Sequence, residues 1–296
     1  MKKRLLAAAI AVFALLLLLR PEAAEEAVRG GLALCFQTVV PSLFPFFVVV
    51  SLLLQLGLGR WLGRLFAPFM GPLFHLSGAA VTPLIAGLIG GYPSGARTAA
   101  ELYREGTLSR EEAERCLAFV NNCGPAFALS FVGTAVLRSE RAGLALYLIH
   151  VLSALLTGLL LCRRGCRGRS PAPAARRPLP KKSFAEMFTG AVTSSFAATL
   201  NICAFVALFR AAAGVLPAHF PPAVLGFFEM VTGTASLQPG RAGFVTAAAI
   251  LSWGGLSVHC QTLSVIGDLS ARRHWLGKAV QAALSAGIAL AIWPWI

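Results

Sequence analysis

Apolar residues run in long uninterrupted stretches along this chain. Leu5–Leu19, Gly31–Leu56, Ala142–Cys162 and Gly243–Gly267 contain no Lys, Arg, Asp or Glu. A membrane-crossing helix needs about 20 mostly apolar residues, and three of these four stretches exceed that. Nine apolar segments emerge, at 5–19, 31–57, 78–95, 116–137, 142–162, 184–209, 223–238, 243–266 and 275–293. Two are short, 78–95 and 223–238, and both carry glycine and polar residues near the middle or end. The region 61–76, with Trp61, Arg64, Phe66, Pro68, Phe69, Pro72 and Phe74, reads as an interfacial segment leading into the first short one.

Charge decides what the two short segments do. Basic residues collect on the cytosolic side of membrane spans. If all nine segments cross, with the N-terminus cytosolic, most of the 26 Lys and Arg fall outside, including all eight between Arg163 and Lys182. If 78–95 and 223–238 instead enter and leave on one side, 20 of the 26 fall inside. The second assignment follows the rule, so both segments are expected to be re-entrant hairpins. Non-helical backbone at that depth is tolerated only where it is buried in protein or lines a wet cavity, so two hairpins imply an internal cavity.

The segment order then repeats. Each half has a long span (31–57, 184–209) and a short interrupted segment (78–95, 223–238). Then come a broken span (116–137, 243–266) and a plain span (142–162, 275–293). Gly87–Gly95 parallels Gly226–Gly233, and Phe119–Pro125 parallels Leu251–Ser257. Each half crosses three times, so the second begins on the opposite side. The expected fold is an all-α polytopic membrane protein, an inverted repeat of helices with two re-entrant hairpins and broken helices. Its parts are 1–29, an N-terminal span and outside loop; 30–162, the first repeat; 163–182, a basic cytosolic linker; and 183–296, the second repeat. Met1–Arg4 followed by Leu5–Leu19 has the form of a signal peptide, and an uncleaved first span is the preferred reading.

Composition agrees: 57% of residues are hydrophobic and 13% charged, against about 25% charged in soluble domains. The net charge of +14 orients the spans, and no long soluble domain is left to carry a nucleic-acid surface. Seven cysteines lie mostly in apolar segments, where the thiol behaves as a small hydrophobe. Cys162 and Cys166 lack a second ligand pair, so no metal site is expected. HExxH, GxSxG and Walker A patterns are missing, and no enzyme activity or cofactor is expected. The expected partners are the lipid bilayer and a small molecule.

Inverted repeats with interrupted helices are the plan of many secondary transporters, whose solutes bind near the midplane. Helix N-termini there suit an anion. The sharpest candidate is Asn121-Asn122-Cys123-Gly124-Pro125. Pro125 removes a backbone donor and Gly124 adds freedom, so the helix should break. Asn121 and Asn122 then face a solute or join helices by hydrogen bonds. Gly90–Gly95 should form the first hairpin tip, offering Tyr92 and Ser94. Arg97 pairs with a solute carboxylate or with Glu101, four residues on. Glu229, an ionisable group at membrane depth, binds a coupling cation, takes up a proton or caps a hairpin backbone. Thr232, Gly233, Thr234 and Ser236 should form the second tip. In the second broken span, Ser257 is a candidate for the solute and His259 for a proton, against a packing role for the histidine.

Several of these pieces together resemble a family. Pro41–Phe46, Gly90–Ala96, Leu108–Ala113 and Phe119–Pro125, with Glu229–Gly233 in the second half, are similar to the sporulation integral membrane proteins of the YlbJ/SpoVV type, which carry a nucleoside-recognition Gate domain. That resemblance implies a sporulation role and movement of dipicolinate, a small aromatic dianion, across a forespore membrane. It also implies sporulation membrane partners or a second copy of the chain. A non-transporting subunit of a sporulation complex and a nucleoside-type transporter are the other readings.

Overall fold

A computed structural model describes residues 2–162, 183–216 and 220–296. The basic linker expected at 163–182, with Cys166, lies outside the described residues. Helices α1 (Lys2–Leu19) and α2 (Pro21–Leu34) open the chain, and α2 passes through a π turn, Cys35–Val39, into α3 (Val40–Gln55). A loop was expected at 20–29, and the structure has a helix there instead. Proline at the first helical position gives up an N–H that would be unbonded anyway. Arg29 pairs with Glu25 one turn back. Pro21–Leu53 thereby becomes one helix long and apolar enough to cross a membrane.

Helix α4 (Leu58–Phe69) is amphipathic and exposes Trp61, Leu65, Phe66 and Phe69. The helix Arg64–Phe74 meets Gly78–Gly90 at 113°, the bend of an interfacial segment turning into the core. Helices α5 (Val81–Gly90) and α6 (Ser94–Arg104) form the first hairpin, turning at Gly91–Pro93. Gly91 takes φ +74 there, which glycine adopts at no steric cost. The arms touch through backbone: a Cβ on Gly87 would lie 3.3 Å from the Gly95 Cα and 1.7 Å from the Val120 carbonyl oxygen.

Helix α7 (Arg110–Cys116) starts at a reciprocal capping box between Ser109 and Glu112. The chain then leaves the helix through Leu117–Gly124 and resumes at Pro125, continuing as a π-helical segment, Phe127–Val136. This is the break that Gly124-Pro125 demands. Helix α8 (Glu140–Cys162) completes the first half.

The second half repeats the order. Helix α9 (Phe184–Gly214) is the long span, α10 (Pro222–Phe228) and α11 (Met230–Ala235) make the second hairpin, and α12 (Arg241–Trp253) and α13 (Gly255–Ile266) are one span broken at Gly254. Helix α14 (Arg272–Ile292) is the last span. A Cβ on Gly233 would lie 2.2 Å from the Gly226 Cα, so this hairpin is closed by facing glycines like the first. The second tip is displaced from its expected place. The chain turns at Glu229, and Thr232, Gly233 and Thr234 sit inside α11, with Ser236 just beyond it. The carboxylate of Glu229 supplies the reason: it accepts from the backbone N–H of Val231 and Thr232 and starts the helix there.

The two hairpins are rooted on opposite faces. On one face Arg110 pairs with Asp268 and the Ser270 N–H donates to Glu114. Buried Arg115 donates to the carbonyls of Phe74, His75 and Cys162, fastening the foot of the first hairpin to the end of α8. On the other face Arg138 shares a cavity with Leu34 and Gln238 at the foot of the second hairpin. Opposite roots and equal order make the halves an inverted repeat.

Candidate functional site

Each hairpin tip rests on the helix break of its own half. Gly91 backs onto Gly124 with a hypothetical Gly124 Cβ 3.3 Å from the Gly91 Cα, and Gly255 stands equally close to Glu229 and Met230. Tyr92 then reaches across to the other half and donates from its hydroxyl to the Leu251 carbonyl at 2.9 Å, beside the Gly254 break. A small, mostly apolar chamber of about 40 Å³ lies between these parts, lined by Tyr92, Gly124, Phe127, Glu229, Val258 and Gln261. A second cavity lies between the first tip, α3 and α9, and presents Ser51, Ser94, Arg97, Ser194 and Ser195. Phe47 and Tyr92 line both spaces. These two rings are therefore the partition between a polar vestibule and the central chamber.

Behind the partition stands Lys278, 1% exposed on α14. Its ammonium donates to the Tyr92 hydroxyl at 2.7 Å, the Asn121 carbonyl at 3.0 Å and Gln281 Oε1 at 2.7 Å. Gln281 Nε2 in turn donates to Asn122 Oδ1 at 3.1 Å and to the His150 carbonyl at 3.3 Å. The Cys123 N–H donates to His150 Nε2, which fixes the neutral ring as the tautomer protonated on Nδ1. That Nδ1 then donates to Ser252 Oγ at 3.1 Å. Asn121 Nδ2 donates to Thr262 Oγ1 at 2.8 Å. All but two of these bonds join one half of the repeat to the other. None of the ion pairs of the described residues involves Lys278, so in its ammonium form it is buried among neutral oxygens. Burying a charge is costly unless it is hydrogen-bonded and balanced; here the bonds are made and the balancing charge is not.

The residues singled out from sequence separate into groups. Tyr92, Gly124 and Glu229 line the chamber, and Tyr92, Ser94 and Arg97 line the vestibule. Arg97 is exposed, and among the described residues no ion pair joins it to Glu101. Asn121 and Asn122 are buried and do not line the chamber; Asn122 Nδ2 donates to the Phe119 carbonyl at 2.8 Å and closes the broken turn. Thr232 and Thr234 are buried in α11, and the Thr234 hydroxyl donates to the Met230 carbonyl. Ser257 stands 3.5 Å from Glu229 Oε1. His259 pairs with His274 at 2.8 Å and stacks on Trp275, away from the chamber. Sequence reasoning missed Lys278, His150, Gln281 and His274. Among the described residues no group of three His, Cys, Asp or Glu is placed to hold a metal ion.

Glu229 fills the capping role among its three expected ones, and this carries a prediction. Glu229→Ala should remove the N-cap of α11 and cost about 1–2 kcal/mol. Glu229→Gln keeps one accepting oxygen and should lose roughly half of that. Thermal unfolding followed by tryptophan fluorescence checks it. Equal losses in the two variants would show that the charge, and not the cap, is what matters.

A helical integral membrane protein with two re-entrant hairpins meeting two broken helices around an internal chamber is the class that fold and site define. Residues 36–160 match the family model described as Gate, nucleoside recognition. Over 319 aligned residues it is 26% identical to the sporulation integral membrane protein YlbJ of Bacillus subtilis (strain 168), covering 92% of this chain and 78% of that one. No solved structure matches the chain.

Proposed function

We propose that the protein is a secondary transporter that moves a small organic anion through the central chamber. Lys278 carries this reading. A buried ammonium with no carboxylate partner, one hydroxyl away from the chamber, is completed by a negative solute and repels a cationic one, while the chamber's own carboxyl, Glu229, is turned to the backbone N–H groups of α11. The hairpin tips and helix breaks around it are the parts that transporters use to hold solutes at mid-depth. Arg97 at the vestibule favours the same sign of charge.

Dipicolinate is the solute we favour. Similarity to a sporulation integral membrane protein supports a membrane of the sporulating cell as the setting, the distribution of Lys and Arg favours a cytosolic N-terminus, and the aromatic rings of Tyr92 and Phe47 suit a flat aromatic dianion. The family model's description favours a second solute class, the nucleosides. Against it, a neutral nucleoside leaves the charge of Lys278 unbalanced. Uptake by the purified protein in lipid vesicles separates the two. Dipicolinate is expected to enter saturably and to outcompete simple dicarboxylates, while nucleosides neither enter nor compete. Nucleoside uptake that dipicolinate does not inhibit would overturn the proposal.

A further inference from the structure

The hydrogen bonds of Lys278 are arranged so that losing one proton has a single structural consequence. As an ammonium, Nζ spends all three protons on Tyr92 Oη, the Asn121 carbonyl and Gln281 Oε1. As an amine it has two protons and one lone pair, so all three bonds are kept only if one of them reverses. A carbonyl and an amide oxygen can only accept. Tyr92 alone can reverse, because its hydroxyl carries a proton, now given to the Leu251 carbonyl. When that proton turns toward Nζ, the bond from Tyr92 to Leu251 is lost. This bond ties the first hairpin tip to the second half at the Gly254 break, and Tyr92 is half of the partition between vestibule and chamber. Proton loss at Lys278 therefore unlatches the partition.

A route for the proton stands on the same helix. His274 precedes Lys278 by one turn on the buried face of α14, which continues through Gln281 and Ser285. Its Nε2 is hydrogen-bonded to His259 Nδ1 at 2.8 Å. Of the outer nitrogens, His259 Nε2 is buried and has no hydrogen-bond partner among the described residues, while the His274 ring also meets the backbone of Leu117. A proton entering at one outer nitrogen shifts the shared proton and expels another from the far side. One proton moves, both rings exchange tautomers, and neither gains charge at the end. The pair lies toward the face marked by Arg272 and Asp268, held between Trp253 and Trp275.

We propose that Lys278 binds the coupling proton of transport, with the His259–His274 pair as its path to that face. The inference rests on the transport reading above. The other titratable groups in electrostatic reach of Lys278 are Tyr92 on the first hairpin, Cys123 in the break, His150 on α8, His259 on α13 and His274 on α14 itself. None of these is a carboxylic acid; Glu229, the carboxylic acid lining the chamber, accepts from the Val231 and Thr232 N–H groups and makes no ion pair with Lys278. Helix α12, packed along α14, adds no titratable side chain beyond Arg241 at its start. The acids of α7, Glu111, Glu112 and Glu114, belong to the membrane face, where Glu114 accepts from the Ser270 N–H. The proton thus leaves a site that no nearby carboxylate holds charged, and the arriving anion supplies the missing counter-charge.

The test uses the full chain in vesicles with dipicolinate, comparing wild type, Lys278→Arg and Tyr92→Phe. Arginine keeps the charge but does not release a proton; phenylalanine removes only the hydroxyl that reverses. Two assays are run, accumulation driven by an imposed pH gradient and solute exchange at equal pH. Both variants are expected to lose gradient-driven accumulation by at least about tenfold more than they lose exchange at equal pH, each measured against wild type, since coupling and binding are separable free energies. Variants that accumulate as wild type does, or a wild type driven by sodium and not by protons, would overturn the coupling role while leaving transport standing. A wild type that neither accumulates nor exchanges dipicolinate overturns the transport reading and this proposal with it. If Lys278→Arg elutes as aggregate on gel filtration, Tyr92→Phe decides alone.

Discussion

Lys278→Met is expected to weaken anion binding more than any other single change in the chamber. Methionine is close to lysine in volume, so the packing of α14 is largely kept. The lost quantity is the charge. Nζ lies 4.9 Å from the centre of the Tyr92 ring, and a solute beside that ring is roughly 8 Å from it. At an effective dielectric constant of about 20 this is worth about 2 kcal/mol per negative charge, or roughly thirtyfold in Kd. A dianion should therefore lose on the order of a thousandfold, and a monoanion about thirtyfold. Titration calorimetry with dipicolinate and with its monocarboxylate analogue checks both the loss and its dependence on charge. The same loss for the two solutes would show that Lys278 acts through packing alone.

The largest effect on folding is expected from Gly87→Ala. A Cβ there would lie 1.7 Å from the Val120 carbonyl oxygen and 2.9 Å from its carbon. Backbone, not a flexible side chain, occupies the space. Either the first hairpin moves away from the break or the break itself shifts, and overpacking of this kind costs about 1–3 kcal/mol or more. Gly71→Ala is the matched control, because nothing lies within 4 Å of its added methyl. Yield of monodisperse protein on gel filtration and the thermal midpoint should fall for Gly87→Ala and stay unchanged for Gly71→Ala. An unaffected Gly87→Ala protein would mean that the hairpin does not rest on Val120.

Much of this architecture was legible from apolar runs and charge. Gly90-Gly91-Tyr92-Pro93-Ser94 gave the first tip because no helix continues through that string, and Gly124-Pro125 gave the first break for the same reason. The second tip was misplaced because Thr232, Gly233 and Thr234 look like turn residues. A carboxylate that caps its own helix moves the turn back to Glu229, and capping geometry leaves little trace in hydropathy. Lys278 lies at the start of the expected span 275–293, close to Arg272 and Arg273, where it counts as one more orienting charge. Its neighbours carried the missed signal: His274, Lys278, Gln281 and Ser285 recur at helical spacing inside an apolar span, and all are buried. The helical 21–34 was hidden by Gly30-Gly31. Those glycines serve contact with α9: a Cβ on Gly31 would lie 3.2 Å from the Arg210 Cδ.

The order in which the chain is synthesised gives the central network a further meaning. Asn121, Asn122 and His150 reach the bilayer first, and the lysine and glutamine that engage them lie on α14, the last span to follow. Until then the carbonyls of Asn121 and His150 lack these donors at mid-depth, where no bulk water replaces them. Insertion of the final helix therefore locks the first half as well as the second. A ribosome product that stops short of α14 keeps every hairpin but none of the Lys278 and Gln281 bonds that hold them together, and such a product should be recognised and removed as an orphan.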